Sequence, residues 1–541
     1  MLFYIISTSA RFDEPINNFT RLDKNRTEAT TLAREYLVSR GFDLDDYRTV
    51  ANSENWMSSF HSLDESGGSG IKREHAAYIL ENSGKDTLRL FLSEDKLPVM
   101  GWVVRFYKPQ TKREYKVRIL AKGDEARYPQ FKETLSDTAN LPSLTKEEAL
   151  ALVQGFAAST DVDLSNMDLA EEKTIEKDNR IDYYFRFMAQ DDHKDNVAEA
   201  RSYYDFEVHG DHIGRVGAGM KLPENWQREY RKNTIYDNIQ LFSIISFGLL
   251  LLILGIRFLL ALIKENKPNW KQALTAGIVF LIFHILYSAN DLAAHLHDYN
   301  TAQPLKSYIV QDLLLKFLGS VGLAVFIAVI ILAVNLAWPS FFIAFKKINR
   351  KVYLKDAFIS LICSVGFILF ITALSGLLTK YHPTFIQSGA FSYPIVNSFY
   401  LHVSLLFDAA FKILLTMLLI VWILYMYRQL SIRGGIRKVL VLAVIALPFI
   451  LDGDPEILQL LINALKIGGL FLLIKYFWRG NPWSYLLGVF GLMVIPDLLK
   501  YLFLIQDPTY RWQVFAAVLI ILIFLAYLAI VAFLPKIRKS M

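Results

Sequence analysis

Up to about residue 235, polar and apolar positions alternate at short intervals; from Ile239 onward, apolar runs long enough to cross a bilayer recur almost to the C terminus. The pattern divides the chain into a soluble part and a membrane domain over 239–541. Nine spans are predicted, centred near residues 251, 279, 325, 367, 413, 444, 467, 494 and 524. The sixth, Ile436 to Leu451, is short and carries Pro448, so a count of eight stays open. Within the soluble part, Ala29, Leu32, Ala33, Tyr36 and Leu37 follow helical spacing. The stretches GWVVRFYKP, EYKVRILAK, DYYFRFMAQ and SYYDFEVHG, rich in aromatic and β-branched residues, predict strands.

Those elements repeat. NRTEATTLAREYLVSRGFDLDDY realigns without a gap on TKEEALALVQGFAASTDVDLSNM at a shift of 120 residues, so that Glu28, Ala29, Leu32, Asp43 and Leu44 meet Glu148, Ala149, Leu152, Asp163 and Leu164. A run of matches at one offset predicts an internal repeat. Arg105-Phe106 and Arg186-Phe187 then mark equivalent strands. The expectation is two modules, 20–135 and 136–235, each a helix on a small antiparallel sheet. The fold class is thus a polytopic α-helical membrane bundle preceded by a duplicated α+β soluble domain. The tandem layout resembles the PepSY-like modules found outside the membrane in some bacterial polytopic proteins, and the resemblance implies binding or regulation rather than catalysis.

Composition agrees with this division. The 541 residues are 53% hydrophobic, and the mean hydropathy is +0.28. The formal charge of +6 comes with basic residues gathered in alternate loops of the membrane half, among them Lys264, Lys346, Arg428, Arg433 and Arg538. That distribution reads as membrane orientation and not as a nucleic-acid surface. The positive-inside rule puts the C terminus in the cytoplasm and the N-terminal domain outside, and the resemblance to modules of bacterial polytopic proteins implies that the membrane is a bacterial cell (inner) membrane. Residues 1–19 are then expected to be the remnant of an upstream signal or span. The one cysteine, Cys363, lies in an apolar run, so no disulfide framework is predicted.

A tandem module ahead of a multi-span domain also resembles the CPBP family, related to CAAX-processing membrane endopeptidases. That resemblance implies a water-activating site built from a Glu-Glu-x-x-x-Arg motif and later histidines, with zinc as the cofactor if the protease reading holds. Here the adjacent glutamates, Glu147-Glu148 and Glu171-Glu172, lie in the soluble part without the arginine. Phe280 and His284 match Phe-x-x-x-His out of order, and ALPFILDGDPE lacks the late histidine. The expectation is a catalytically degenerate relative, with no catalytic residue, metal ligand or cofactor. An aspartyl-protease reading of Asp408 with Asp452 and Asp454 lacks that class's Tyr and first Gly. Asp454-Pro455-Glu456 reads instead as a helix start.

What remains is a set of ionisable residues inside spans: His284, His402, Asp408, Lys412, Lys466, Asp497 and Lys500. A charge at membrane depth costs on the order of 3 kcal/mol, so these should pair or line a cavity. Asp408 and Lys412 are spaced for an ion pair one helical turn apart. Asp497, after Pro496, has Lys500 one turn on as its expected partner. His284 is expected to make a hydrogen bond within the bundle, and Trp478, Trp483 and Trp512 to anchor span ends at the membrane interface. The partners expected are the lipid bilayer and an envelope protein or peptide at the exterior module, with transport the alternative use of the buried charges.

Overall fold

The structure, a computed structural model, describes residues 21–55, 73–93, 100–121, 130–160, 162–230, 232, 235–266, 268–344, 350–381, 394–429, 446–451, 457–478 and 480–533. Residues 1–19, most of the sixth predicted span and Asp454-Pro455-Glu456 lie outside them.

Two helices open the two halves of the soluble part, and the sequence starts both in the same way. In α1 (Arg26–Ser39) the Asn25 side chain and Glu28 form a reciprocal capping box; in α3 (Lys146–Ala158) Thr145 and Glu148 do so, at the 120-residue offset. α1 buries Ala29, Ala33 and Leu37, and α3 buries Ala149, Val153, Phe156 and Ala157. Each helix therefore presents one apolar stripe to a sheet.

The strands are β1 (Arg48–Asn55), β2 (Met100–Tyr107), β3 (Glu114–Leu120), β4 (Gln130–Thr134), β5 (Met167–Lys177), β6 (Arg180–Ala189), β7 (Arg201–His209) and β8 (His212–Lys221). All pair antiparallel in one eight-stranded sheet, ordered β1-β2-β3-β4-β8-β7-β6-β5. Two separate sheets were expected; instead β4 meets β8 through Phe131↔Val216 and Lys132↔Arg215, fusing the halves. Each half runs helix then four strands, and the first also holds α2 (Arg73–Ser93) between β1 and β2, broken at Gly84. Strands β1, β4, β5 and β8 were not foreseen.

After the short α4 (Glu224–Tyr230) come the long apolar helices: α5 (Ile235–Glu265), α6 (Trp270–Asn290), the short α7 (Leu292–Leu296), α8 (Leu305–Ala337), α9 (Arg350–Tyr381), α10 (Leu401–Gln429), α11 (Ile457–Leu472), α12 (Pro482–Val489), α13 (Ile495–Leu504) and α14 (Pro508–Phe533). Among the described residues, eight helical stretches are long and apolar enough to cross a membrane, α12 and α13 forming one of them. The architecture is that of a multi-pass membrane protein. α6 and α8 pack closely because Gly277 has no side chain: a Cβ there would stand 3.0 Å from the Ala324 carbonyl.

Two segments depart from α geometry. Leu473–Trp478 and Phe490–Val494 are π-helical, the second leading directly into Pro496 and Asp497. Each widened turn rotates the residues after it about the helix axis. Trp478 is fully buried and Trp483 is 6% exposed, so these two are core residues and not interfacial anchors; Trp512, at 75%, faces outward.

Candidate functional site

The sheet domain is not tethered loosely to the bundle; it is seated in it. The β1–β2 pair is gripped on both faces. On one face Trp102 stacks on Tyr510 at 6.3 Å, and Leu22, Trp102, Val104 and Phe106 share a core with Val396, Leu401, Leu405, Ile505 and Val514. On the other, the Asn52 amide donates to the Ala294 carbonyl (3.0 Å), Arg105 donates to the His297 carbonyl (2.7 Å), and Tyr107 meets Tyr299 edge-on. The free edge of β1 is closed by Asn397, whose Oδ1 accepts from Ser53 N (2.7 Å) and Oγ (3.0 Å) and whose Nδ2 donates to Ser53 O (3.1 Å).

Arg26, in the first turn of α1, crosses the same joint. Its guanidinium donates to the carbonyls of Val396, Asn397 and Ser398, at 2.5 Å for Asn397. Asn25 donates to Asp507 (3.0 Å), and Leu22 O accepts from Gln506 N and Asp507 N. Asn290, at the end of α6, holds the start of α10 through Tyr400 N (2.8 Å), Tyr400 O (2.9 Å) and Ser404 Oγ (2.8 Å). The polar contacts of the joint thus reach the residues just before α10 and α14, and Asn290 ties the end of α6 to the start of α10.

Below this seat lies a charged triad. Lys412 Nζ is 2.6 Å from Asp408 Oδ2, one turn earlier on α10, and 2.6 Å from Asp497 Oδ2 on α13. The predicted Asp408–Lys412 pair is present. Asp497 engages Lys412 on another helix, a partner the spacing with Lys500 did not suggest. The π-helical turn at Phe490–Val494 and Pro496 set the rotation of α13 that brings it there. Asp408 and Asp497 each stand seven residues from the sheet-side end of their helix, about 10 Å deep at the helical rise.

His284, His402 and Lys466 have hydrogen-bond partners outside the triad. His284 Nδ1 is 2.7 Å from Ser320 Oγ, joining α6 to α8, and its ring packs among Phe280, Tyr287 and Phe407. It is the bundle hydrogen bond expected of it. His402 Nδ1 lies 3.4 Å from Gln513 Oε1, and Lys466 donates to Asn463 Oδ1 at 3.3 Å. Lys500 sits one turn beyond Asp497 on α13. A second intrahelical pair went unread: Asp312 and Lys316 of α8, 3.1 Å apart, with His295 3.5 Å from Asp312 and 3.4 Å from Asp291. Its i, i+4 spacing is visible in the sequence.

Another unforeseen cluster joins the halves of the sheet. Glu133 Oε2 of β4 accepts from His209 Nδ1 (3.2 Å) and His212 Nε2 (2.7 Å), and its Oε1 accepts from Arg113. The His209 ring occupies the space over Gly214, where a Cβ would fall 2.0 Å from Nδ1. Burial opposes a charge on His209, but hydrogen bonds to Glu133 and Glu207 outweigh it and raise its pKa to about 9. Burial likewise opposes the Glu207 carboxylate, yet His209 and Arg215 pull it down to about 2.

The sign of the pH dependence follows. The His209 contribution is complete below its unfolded value near 6.5 and is lost as pH rises through about 9; the Glu207 contribution is complete above about 4.5 and is lost as pH falls toward 2. Thermal melts of the sheet domain within the full chain should show a plateau between those limits. On its alkaline side about 2 kcal/mol should be lost, and His209→Gln should flatten that limb. An alkaline limb unchanged in His209→Gln would show that this imidazole carries no linkage.

Among the described residues, no group of three or more His, Cys, Asp or Glu side chains has the geometry to hold a metal ion. No family model matches the chain, and neither does any curated protein or solved structure.

Proposed function

We propose that this is a non-catalytic sensor or regulator of the bacterial cell membrane, in which a duplicated exterior domain binds an envelope protein or peptide and passes its state to the bundle. The observation that carries the reading is the seat of the β1–β2 pair between the loops of the bundle. A spacer would need no buried arginine across the joint and no asparagine closing a strand edge. The shared order of helix and four strands, with matching capping boxes, supports an origin by duplication of a PepSY-like unit. The opposite edge of the sheet, β5, is exposed along most of its length and leaves the domain a surface for a partner.

Within the same reading the chain is a degenerate relative of the CAAX-processing group. Glu147 and Glu148 stand in the first turn of α3, and Glu171 and Glu172 in β5, all in the sheet domain. His284 is committed to Ser320.

Hydrogen exchange of the full-length protein in lipid nanodiscs tests the coupling. Arg26→Ala should raise exchange severalfold in residues 21–55 and also at 288–300, 394–405 and 505–512. A rise that stops at the sheet domain would overturn the reading. So would peptide cleavage by the purified protein that disappears in His284→Ala.

A further inference from the structure

The two outer strands of the sheet, β1 and β5, correspond in register, yet among the described residues β5 ends the sheet with no further strand on its outer side. Setting Arg105-Phe106 on Arg186-Phe187 places the pair Ala51↔Val104 on Glu172↔Phe185 and Ser53↔Trp102 on Thr174↔Tyr183; the extra residue of β5 is absorbed by its bulge between Leu169 and Glu171. Ser53 turns its N–H and C=O out of the sheet to Asn397, so the shared register turns those of Thr174 outward too. The helices correspond as well. Arg26, which donates to the carbonyls of Val396, Asn397 and Ser398, is the first residue of α1, and Lys146 is the first residue of α3. The second half thus repeats the parts that hold the 394–398 loop in the first: a hydroxyl residue on an outer strand and a cation at a helix start. Its edge is open to solvent, with residues 172–176 all exposed and Lys146 ion-paired to Glu172 across it.

From this correspondence we propose that the β5 edge is a second seat, which binds a basic polypeptide loop of a partner protein in the way the β1 edge binds residues 394–398 of this chain. The loop pairs with the Thr174 N–H and C=O, and Lys146 leaves Glu172 to donate to the loop's carbonyls, as Arg26 does in the first half. The basic character follows from the residues on either side of Thr174. Where the first seat has Ala51 and Asn55 beside Ser53, the second has Glu172 and Glu176, and release of Lys146 turns both carboxylates to the occupant. Without a partner, the Lys146–Glu172 pair covers the edge and guards it against indiscriminate strand pairing. The inference rests on the reading of the exterior domain as a binding module and names the chemistry of what it binds. Its test reads the β5 edge alone, whereas Arg26→Ala reads the joint, so the two can fail separately.

The probe is a synthetic peptide of residues 394–398, PIVNS, with a lysine added at each end, and its twin carries glutamate in place of both lysines. At about 1 mM, the lysine peptide should slow hydrogen exchange severalfold at 171–177 in the full-length protein in nanodiscs, and the glutamate twin should not. Thr174→Pro removes an N–H that faces out of the sheet and so keeps the ladder to β6; it should weaken binding about tenfold at an unchanged melting temperature. Glu176→Lys leaves the backbone alone and should weaken the lysine peptide while favouring its glutamate twin. The proposal is overturned if the lysine peptide leaves exchange at 171–177 unchanged, if both peptides slow it equally, or if binding is the same in wild type and both variants.

Discussion

Lys412→Met is expected to destabilise the bundle by about 3 kcal/mol, read as a lower melting temperature of the detergent-solubilised or nanodisc-embedded protein. The lysine is the only described cation bonded to Asp408 and Asp497, so its removal leaves two carboxylates at membrane depth. Breaking a buried pair costs more than deleting it, because the remaining charge has lost its compensation. The figure sits at the lower end of that range since a third of the lysine side chain is open to its surroundings. Removing all three charges, as Asp408→Asn with Lys412→Met and Asp497→Asn, should restore most of the loss. A triple variant as unstable as the single one would show that packing of the lysine stem, and not charge, holds the helices. Equal stability of Lys412→Met and wild type would remove the triad as a structural element.

Sequence reasoning reached this site only in part, and the reason is physical. Asp408 and Lys412 were readable because a straight helix fixes the i, i+4 relation. Asp497 was nominated, but its partner depends on how far α13 is rotated, and that is set by a π-helical turn at Phe490–Val494 that has no periodic signature. The soluble part shows the same limit. The capping boxes at Asn25 and Thr145 are local chemistry and were legible as helix starts. Strand β5, with Glu171, Glu172, Lys173, Glu176 and Lys177, lacks an alternating apolar pattern because it is a sheet edge with most of its residues exposed. β8, HIGRVGAGMK, carries three glycines that weaken a strand signal, yet it pairs with β4 to make one sheet of two. The seat escaped notice entirely. Ser53 and Asn397 are 344 residues apart, and nothing local marks either as an interface residue.

Asn397→Ala is expected to cost about 3 kcal/mol and to loosen the sheet domain from the bundle without unfolding either. The amide makes three hydrogen bonds to Ser53, two accepted by its Oδ1 and one donated by its Nδ2, and both residues are buried. Truncation leaves the Ser53 N–H and C=O without partners at a strand edge that water reaches only if the joint opens. Opening is therefore the response that relieves the unpaired groups, and it should appear as faster hydrogen exchange at 50–55, at Leu22 and at 394–399. Asn397→Asp sharpens the test: it keeps the acceptor for Ser53 N but loses the donor to Ser53 O, so an intermediate effect is expected. Exchange that stays at the wild-type rate in Asn397→Ala would mean that the apolar contacts of Trp102, Val104 and Ile505 hold the joint by themselves. In that case the polar residues across it would have no part in transmitting the state of one domain to the other.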